Sequence, residues 1–186
     1  MTDRIATFPP TGLSEPGWRT RLQVRQVKQY DLPALEWEGE YRHFRRLYHD
    51  IYQNACQGKA VLWVADLDQA GVVGQVFVQL DSARKELADG NVRAYIYGFR
   101  VRPLYRNLGI GGQMLQTLES DLKARTFRMA TLNVARQNPE ARRFYERYGY
   151  QVVADEPGRW SYLDDMGKRQ EVHEPAWRME KVLNGN

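Results

Sequence analysis

A chain of 186 residues, 42% of them apolar and 12% aromatic, is long enough to bury one sizeable core and too apolar to stay disordered. It holds no run near the roughly 18–20 apolar residues of a membrane span, and its single cysteine, Cys56, excludes an internal disulfide. The formal charge of +4 suits a phosphorylated small molecule or a nucleic acid, but the arginines are scattered and most read as solvated faces.

Residues 1–20 carry Pro9, Pro10, Gly12, Pro16 and Gly17 without a period and read as an irregular N-terminal arm, leaving 21–186 as a single domain. The arm lacks the charged-then-apolar pattern of a leader, so a cytoplasmic location is expected. Leu22 to Val27 alternates apolar and polar residues, as a half-buried strand does. Asp31 followed by Pro33 reads as a helix start, the carboxylate placed to cap exposed N–H groups. From there Leu35, Tyr41, Phe44, Tyr48, Ile51 and Ala55 recur at roughly helical spacing. They predict one long or broken amphipathic helix ending near Gly58, with Gly39 as a candidate break. Cys56 falls late in this pattern without catalytic partners and reads as a buried or half-buried thiol.

Ala60 to Ala65 and Val72 to Leu80 are two strands joined by a turn over Asp68 to Gly71. A polar loop spans Arg84 to Asn91, and Val92 to Val101 is a further strand rich in Tyr, Ile, Phe and Val. A glycine-rich segment then leads into a helix with Ile110, Met114, Leu118 and Leu122 on one side. Met129 to Ala135 is a strand, and Pro139 to Tyr148 a helix opened by Asn138. Gln151 begins the last sheet strands, and Trp160 to Trp177 looks like a terminal hairpin running on to Leu183. Strands followed by β–α–β–α–β imply an α/β (α+β) domain of three layers, with a mixed central sheet and helices on both faces.

The informative block runs Val101-Arg102-Pro103-Leu104-Tyr105-Arg106-Asn107-Leu108-Gly109-Ile110-Gly111-Gly112, between a strand and a helix. A helix N-terminus offers unpaired backbone N–H groups and the positive end of its dipole. Glycines remove the Cβ atoms that would hold a pyrophosphate away, and Arg106 adds a full charge for the same anion. A nucleotide-hydrolysing loop would need Lys and Ser/Thr after Gly112, where Gln113 and Met114 stand, and a dinucleotide fingerprint would want Gly at 114. The plainer reading is a helix turn whose glycines only permit close packing.

Arg-x-x-Gly-x-Gly after an extended Val-x-Pro segment resembles the coenzyme-A-binding motif of the GNAT superfamily of N-acetyltransferases. A second block, Asn138-Pro139-Glu140-Ala141-Arg142-Arg143-Phe144-Tyr145-Glu146-Arg147-Tyr148-Gly149-Tyr150, resembles that superfamily's Asn-x-x-Ala-x-x-x-Tyr-x-x-x-Gly-Phe/Tyr element. The specific resemblance covers Arg93 to Asp155. It implies the GNAT fold and direct acetyl transfer from acetyl-CoA to a primary amine of a small molecule or protein, without an acyl-enzyme. By the same resemblance, Phe99 and Val101 offer backbone groups to the pantetheine arm, a backbone N–H near Val101 polarises the thioester carbonyl, and the amides from Asn107 to Gly112 cradle the pyrophosphate. A CoA-binding sensor or interaction module without turnover is the alternative.

Asn138 either hydrogen-bonds the pantetheine or simply caps the next helix. Tyr145 matches the position of a general acid, with a core aromatic as the plainer reading. The position where some relatives carry a glutamate base is Tyr95, and a phenol with an ordinary pKa near about 10 is a poor base at neutral pH. A water chain, or a carboxylate from elsewhere such as Glu36, Glu40 or Asp81, could remove the amine proton instead, or the amine arrives already neutral. His43, His49 and His173 give no metal signature, so no metal is expected. Nucleic acid is an unlikely partner, because basic charge stands without an aromatic–basic motif. The resemblance leaves room for a homodimer.

Overall fold

The computed structural model describes residues 11–13 and 17–183; the rest of the expected N-terminal arm lies outside the described residues. Within the arm, Trp18–Arg21 forms one helical turn (α1). The Gly12 carbonyl accepts from the Arg21 guanidinium at 3.0 Å, and the Thr11 carbonyl accepts from the Tyr105 hydroxyl at 2.7 Å.

Seven strands make one mixed sheet: β1 (Leu22–Gln26), β2 (Ala60–Leu67), β3 (Gly71–Gln79), β4 (Arg93–Val101), β5 (Met129–Ala135), β6 (Gln151–Glu156) and β9 (Ala176–Val182). Their order is β1-β2-β3-β4-β5-β9-β6, and only β4 and β5 are parallel. The intervening β7 (Arg159–Leu163) and β8 (Arg169–His173) pair only with each other. The expected terminal hairpin is thus a separate two-stranded ribbon, and the chain then returns to insert β9 between β5 and β6.

The sheet buries both faces. α3 (Ile110–Ala124) turns Ile110, Met114, Leu115, Leu118 and Leu122 onto one face, each almost wholly buried. Such side chains contribute about 1.5–3 kcal/mol each by leaving water. α4 (Pro139–Arg147) lays Ala141, Phe144 and Tyr145 against the same core. On the other face, α2 (Arg45–Cys56) packs Tyr48 and Ile51 with Leu35 against Leu62, Val64 and Phe77. α4 stops at Gly149, whose φ of 87° lets the Tyr150 amide donate back to the Tyr145 carbonyl at 3.1 Å.

The helix expected from Asp31 to Gly58 is broken, and the break begins before Gly39. A 3-10 segment, Gln29–Glu36, precedes Trp37 and Glu38, both left-handed, and α2 starts only at Arg45. Two successive non-glycine residues with positive φ need outside support. Arg102 gives it: its guanidinium bonds Glu38 at 2.6 and 2.9 Å, lies 5.3 Å from the Trp37 ring, and donates to the Val72 carbonyl. Asp31 caps as expected, but from the third helical position back to the Lys28 amide.

One expectation is corrected. Cys56 is exposed, because it falls on the outer face of the last turn of α2, whose Tyr52 and Ala55 pack against the core. Most arginines are exposed, as expected, but several also tie elements together: Arg25 bridges Asp31 and Asp66, Arg45 grips Glu36, and Arg84 grips the buried Glu156. Hydrophobic spacing reveals exposed faces but not long-range carboxylate partners.

Candidate functional site

β4 and β5 pair only from Arg93/Met129 to Ile96/Leu132. Beyond that point β4 stays with β3 and β5 stays with β9, so the two parallel strands part. A cleft of about 760 Å³ opens between them. Its walls include Tyr97 to Val101, Asn133 to Ala135, the start of α3 and one face of α4.

A bulge shapes the β4 wall. Gln75 faces Arg100 while Phe77 faces Tyr97, so β4 carries one residue more than β3 there. Gly98, at φ 59°, takes the extra place, and a Cβ on it would lie 2.6 Å from Phe77 Cδ2. The inserted residue resets the alternation. Ala94 and Ile96 face the α3 side, and after the bulge Phe99 and Val101 face it too. Tyr97 faces the α2 side with Arg100, whose guanidinium lies over the Tyr41 ring. The Arg102 amide donates to the Val73 carbonyl at 2.8 Å. Alternation along an antiparallel ladder therefore turns the Val101 backbone groups away from β3, towards the cleft. The Val101 carbonyl accepts from Arg106 Nε at 2.9 Å.

α3 begins at the cleft with Gly109 as its N-cap at φ 88° and no side-chain cap. The amides of the first turn are therefore free for an anion. Asn107, also left-handed at φ 61°, borders the cleft with Arg106, Gly109, Gly111 and Gly112, while Ile110 is buried in the core and Leu108 packs against it. A Cβ on Gly109 would meet nothing within 4 Å, and one on Gly111 would only touch Phe144 at 3.5 Å. Gly112 differs: a Cβ there would run into the Tyr148 hydroxyl, so this glycine also serves helix packing.

Asn138 Oδ1 accepts from the Ala141 amide at 3.0 Å, so the residue caps α4 while bordering the cleft. Tyr145 lines the cleft among Phe99, Phe144 and Tyr150, and burial pushes its phenol well above the ordinary range. Tyr95 does not line the cleft; it stacks on Tyr97 with ring centres 5.6 Å apart. Burial, reinforced by the Glu156 charge, pushes its phenol up to about 12, against the opposing pull of Arg84 and Asn133. Glu36, Glu40 and Asp81 also stand outside the lining; the carboxylates that border it are Glu140 and Glu174.

Sequence reading did not single out Gly98, Arg100, Asn133 or Arg147, all of which line the cleft. An isolated glycine inside a strand pattern was the available signal for the bulge. No group of His, Cys, Asp or Glu able to hold a metal occurs among the described residues, and no helix among them is long and apolar enough to cross a membrane.

A mixed sheet opens between its two parallel strands onto an uncapped helix start, a geometry suited to an extended ligand that carries phosphate. The family model described as the acetyltransferase (GNAT) family matches residues 26–150. The uncharacterized N-acetyltransferase YycN of Bacillus subtilis (strain 168) is 28% identical over 90 residues, 48% of this chain and 54% of that protein. The chain thus matches about half the length of that relative. Among solved structures, Ard1 from Thermoplasma volcanium superposes with a TM-score of 0.67 at 20% identity, over 89% of this chain and 99% of that one. The spermidine/spermine N-acetyltransferase SpeG from Vibrio cholerae gives 0.65 at 16% identity, over 89% and 95%. At these identities the structures speak for the fold. This chain belongs to the GNAT family of acetyltransferases. The family implies acetyl-CoA as cosubstrate and an amine as acceptor.

Proposed function

We propose that this protein transfers the acetyl group of acetyl-CoA directly to a primary amine. The single observation that carries the reading is the parting of β4 from β5 after Ile96, at a cleft that ends on the uncapped start of α3. The residues fit the donor. The open space over Gly109, the free first-turn amides and the cations Arg106 and Arg147 suit a diphosphate. The released backbone edge at Phe99 and Val101 suits the amides of a pantetheine arm, as a strand suits its neighbour. Asn138, with Oδ1 committed to its helix, has its amide N–H groups left for the same arm.

The thioester supplies an activated acyl carbon; what the chain adds is position and proton control. The Val101 N–H is the donor best placed to polarise the carbonyl. Tyr145 is protonated at neutral pH, the form that giving a proton to a departing thiolate requires, while its burial makes it a weaker acid that must act from close contact with the sulfur. Tyr95 is a poor base for the same reason, so the amine proton leaves through solvent or the amine arrives neutral. Calorimetry with CoA tests binding, and thiol release from acetyl-CoA with an amine panel tests transfer. Gly111→Glu, which sets a negative charge where the diphosphate sits, should abolish CoA binding. CoA binding without thiol release for any amine would favour a binding module over an enzyme.

A further inference from the structure

The α2 side of the cleft holds a cation without a counter-charge. Arg100 lines the cleft with its guanidinium 4.1 Å from the Tyr41 ring centre and 5.3 Å from that of Phe44, and it donates to the Tyr48 hydroxyl at 3.1 Å. It makes no ion pair with any carboxylate among the described residues, although Arg25, Arg45, Arg84, Arg93, Arg102 and Arg178 all do. The nearby Glu36 is already taken by Arg45 through bonds of 2.6 and 2.7 Å. A second group is incomplete. Asn133 lines the cleft, and its Oδ1 is buried without a hydrogen bond. Leu132 and Val134 face the α3 core, so Asn133 between them lies on the same sheet face as Tyr97 and Arg100.

A buried carbonyl without a donor is costly, and so is a half-buried guanidinium without an anion. One acceptor satisfies both. We infer that the acceptor is an amine that also carries a carboxylate: the guanidinium of Arg100 takes the carboxylate and the Asn133 carbonyl takes an amine N–H. The planar fork of arginine suits two carboxylate oxygens, and its stacking on Tyr41 fixes the plane in advance. A polyamine would bring a second positive charge against Arg100. The inference rests on the acetyl-transfer reading and narrows it to a substrate class.

The test compares matched amines by thiol release from acetyl-CoA: 4-aminobutyrate against butylamine, L-alanine against L-alaninamide, and spermidine. A peptide amide with an acidic second residue distinguishes a protein-borne carboxylate from a free amino acid. The carboxylate-bearing member of at least one pair should lead in kcat/KM by roughly 10- to 100-fold, the worth of a charge-assisted hydrogen bond. Arg100→Gln should erase that lead through KM and leave the neutral partner nearly unaffected, and Arg100→Lys should keep part of it. A purely structural role would lower both members of each pair alike. Asn133→Leu should weaken every amine equally, with or without its carboxylate. CoA calorimetry on each variant separates the two levels: loss of CoA binding in the wild type would sink the acetyl-transfer reading itself. With CoA bound, equal rates within every pair, a preference for spermidine, a lead that survives Arg100→Gln, or no turnover of any carboxylate-bearing amine would overturn this inference alone.

Discussion

Replacing Gly98 by alanine isolates what the β4 bulge contributes. Two costs add at this position. A non-glycine residue at φ 59° loses about 1–2 kcal/mol to the left-handed conformation. A Cβ at 2.6 Å from Phe77 Cδ2 and 3.0 Å from Cε2 adds overpacking of about 1–3 kcal/mol, since Phe77 is itself fully buried. The sum is roughly 2–5 kcal/mol, or about 5–15 °C in Tm for a chain of this size. Gly109→Ala is the matched control. It has a comparable φ of 88° but nothing within 4 Å of the new Cβ, so it should carry the backbone cost alone. Thermal melts of the two variants, followed by CoA calorimetry on folded material, make the comparison. Gly98→Ala should melt well below Gly109→Ala and also bind CoA more weakly than the wild type, because relaxing the bulge turns Phe99 and Val101 off the α3 face. If both variants melt together, the contact with Phe77 does not govern this strand and the reasoning fails.

Other substitutions probe other parts. Tyr145→Phe should cut kcat by about 10²-fold or more while leaving CoA affinity near the wild-type value, and equal rates would remove the hydroxyl from the chemistry. Gly112→Ala should cost about 1–3 kcal/mol by striking the Tyr148 hydroxyl, and adding Tyr148→Phe should recover part of the loss in a double-mutant melt. Asp31 is buried, which opposes its ionisation, yet hydrogen bonds from Arg25 and the Lys28 amide prevail and hold its carboxyl below the usual range. A depressed carboxylate stabilises the fold above its unfolded pKa, and that contribution fades as pH falls through the folded value. Asp31→Asn should therefore cost roughly 3 kcal/mol near pH 7 and progressively less below about pH 4, as read from denaturant melts across that range.

Local pattern carried much of this molecule. The α3 stripe, the strand runs and the two motif blocks are short-range features, and their period or spacing announces them. The uncapped start at Gly109 and the cap at Asn138 belong to the same kind, because each depends on residues a turn away. What stayed hidden depends on distant partners. Nothing beside Arg102 signals that it will hold Glu38 and Trp37 in left-handed backbone, and nothing beside Arg100 signals that it meets no carboxylate among the described residues. Tyr95 was placed by counting from the glycine loop, and the structure puts its ring on the Tyr97 stack outside the cleft lining. The bulge explains the limit of such counting: one added residue shifts every later side chain on β4 to the opposite face.

The place of β9 between β5 and β6 bears on how the protein is made. A ribosome releases β5 and β6 before residues 176–182, so the two strands emerge with the gap between them unfilled. Until that segment leaves the exit tunnel, both present open hydrogen-bonding edges, the kind that other nascent chains can capture. The wall of the cleft formed by Asn133 to Ala135 is thus completed only after residues 176–182 have emerged, and a pause in that window is when a chaperone would matter most.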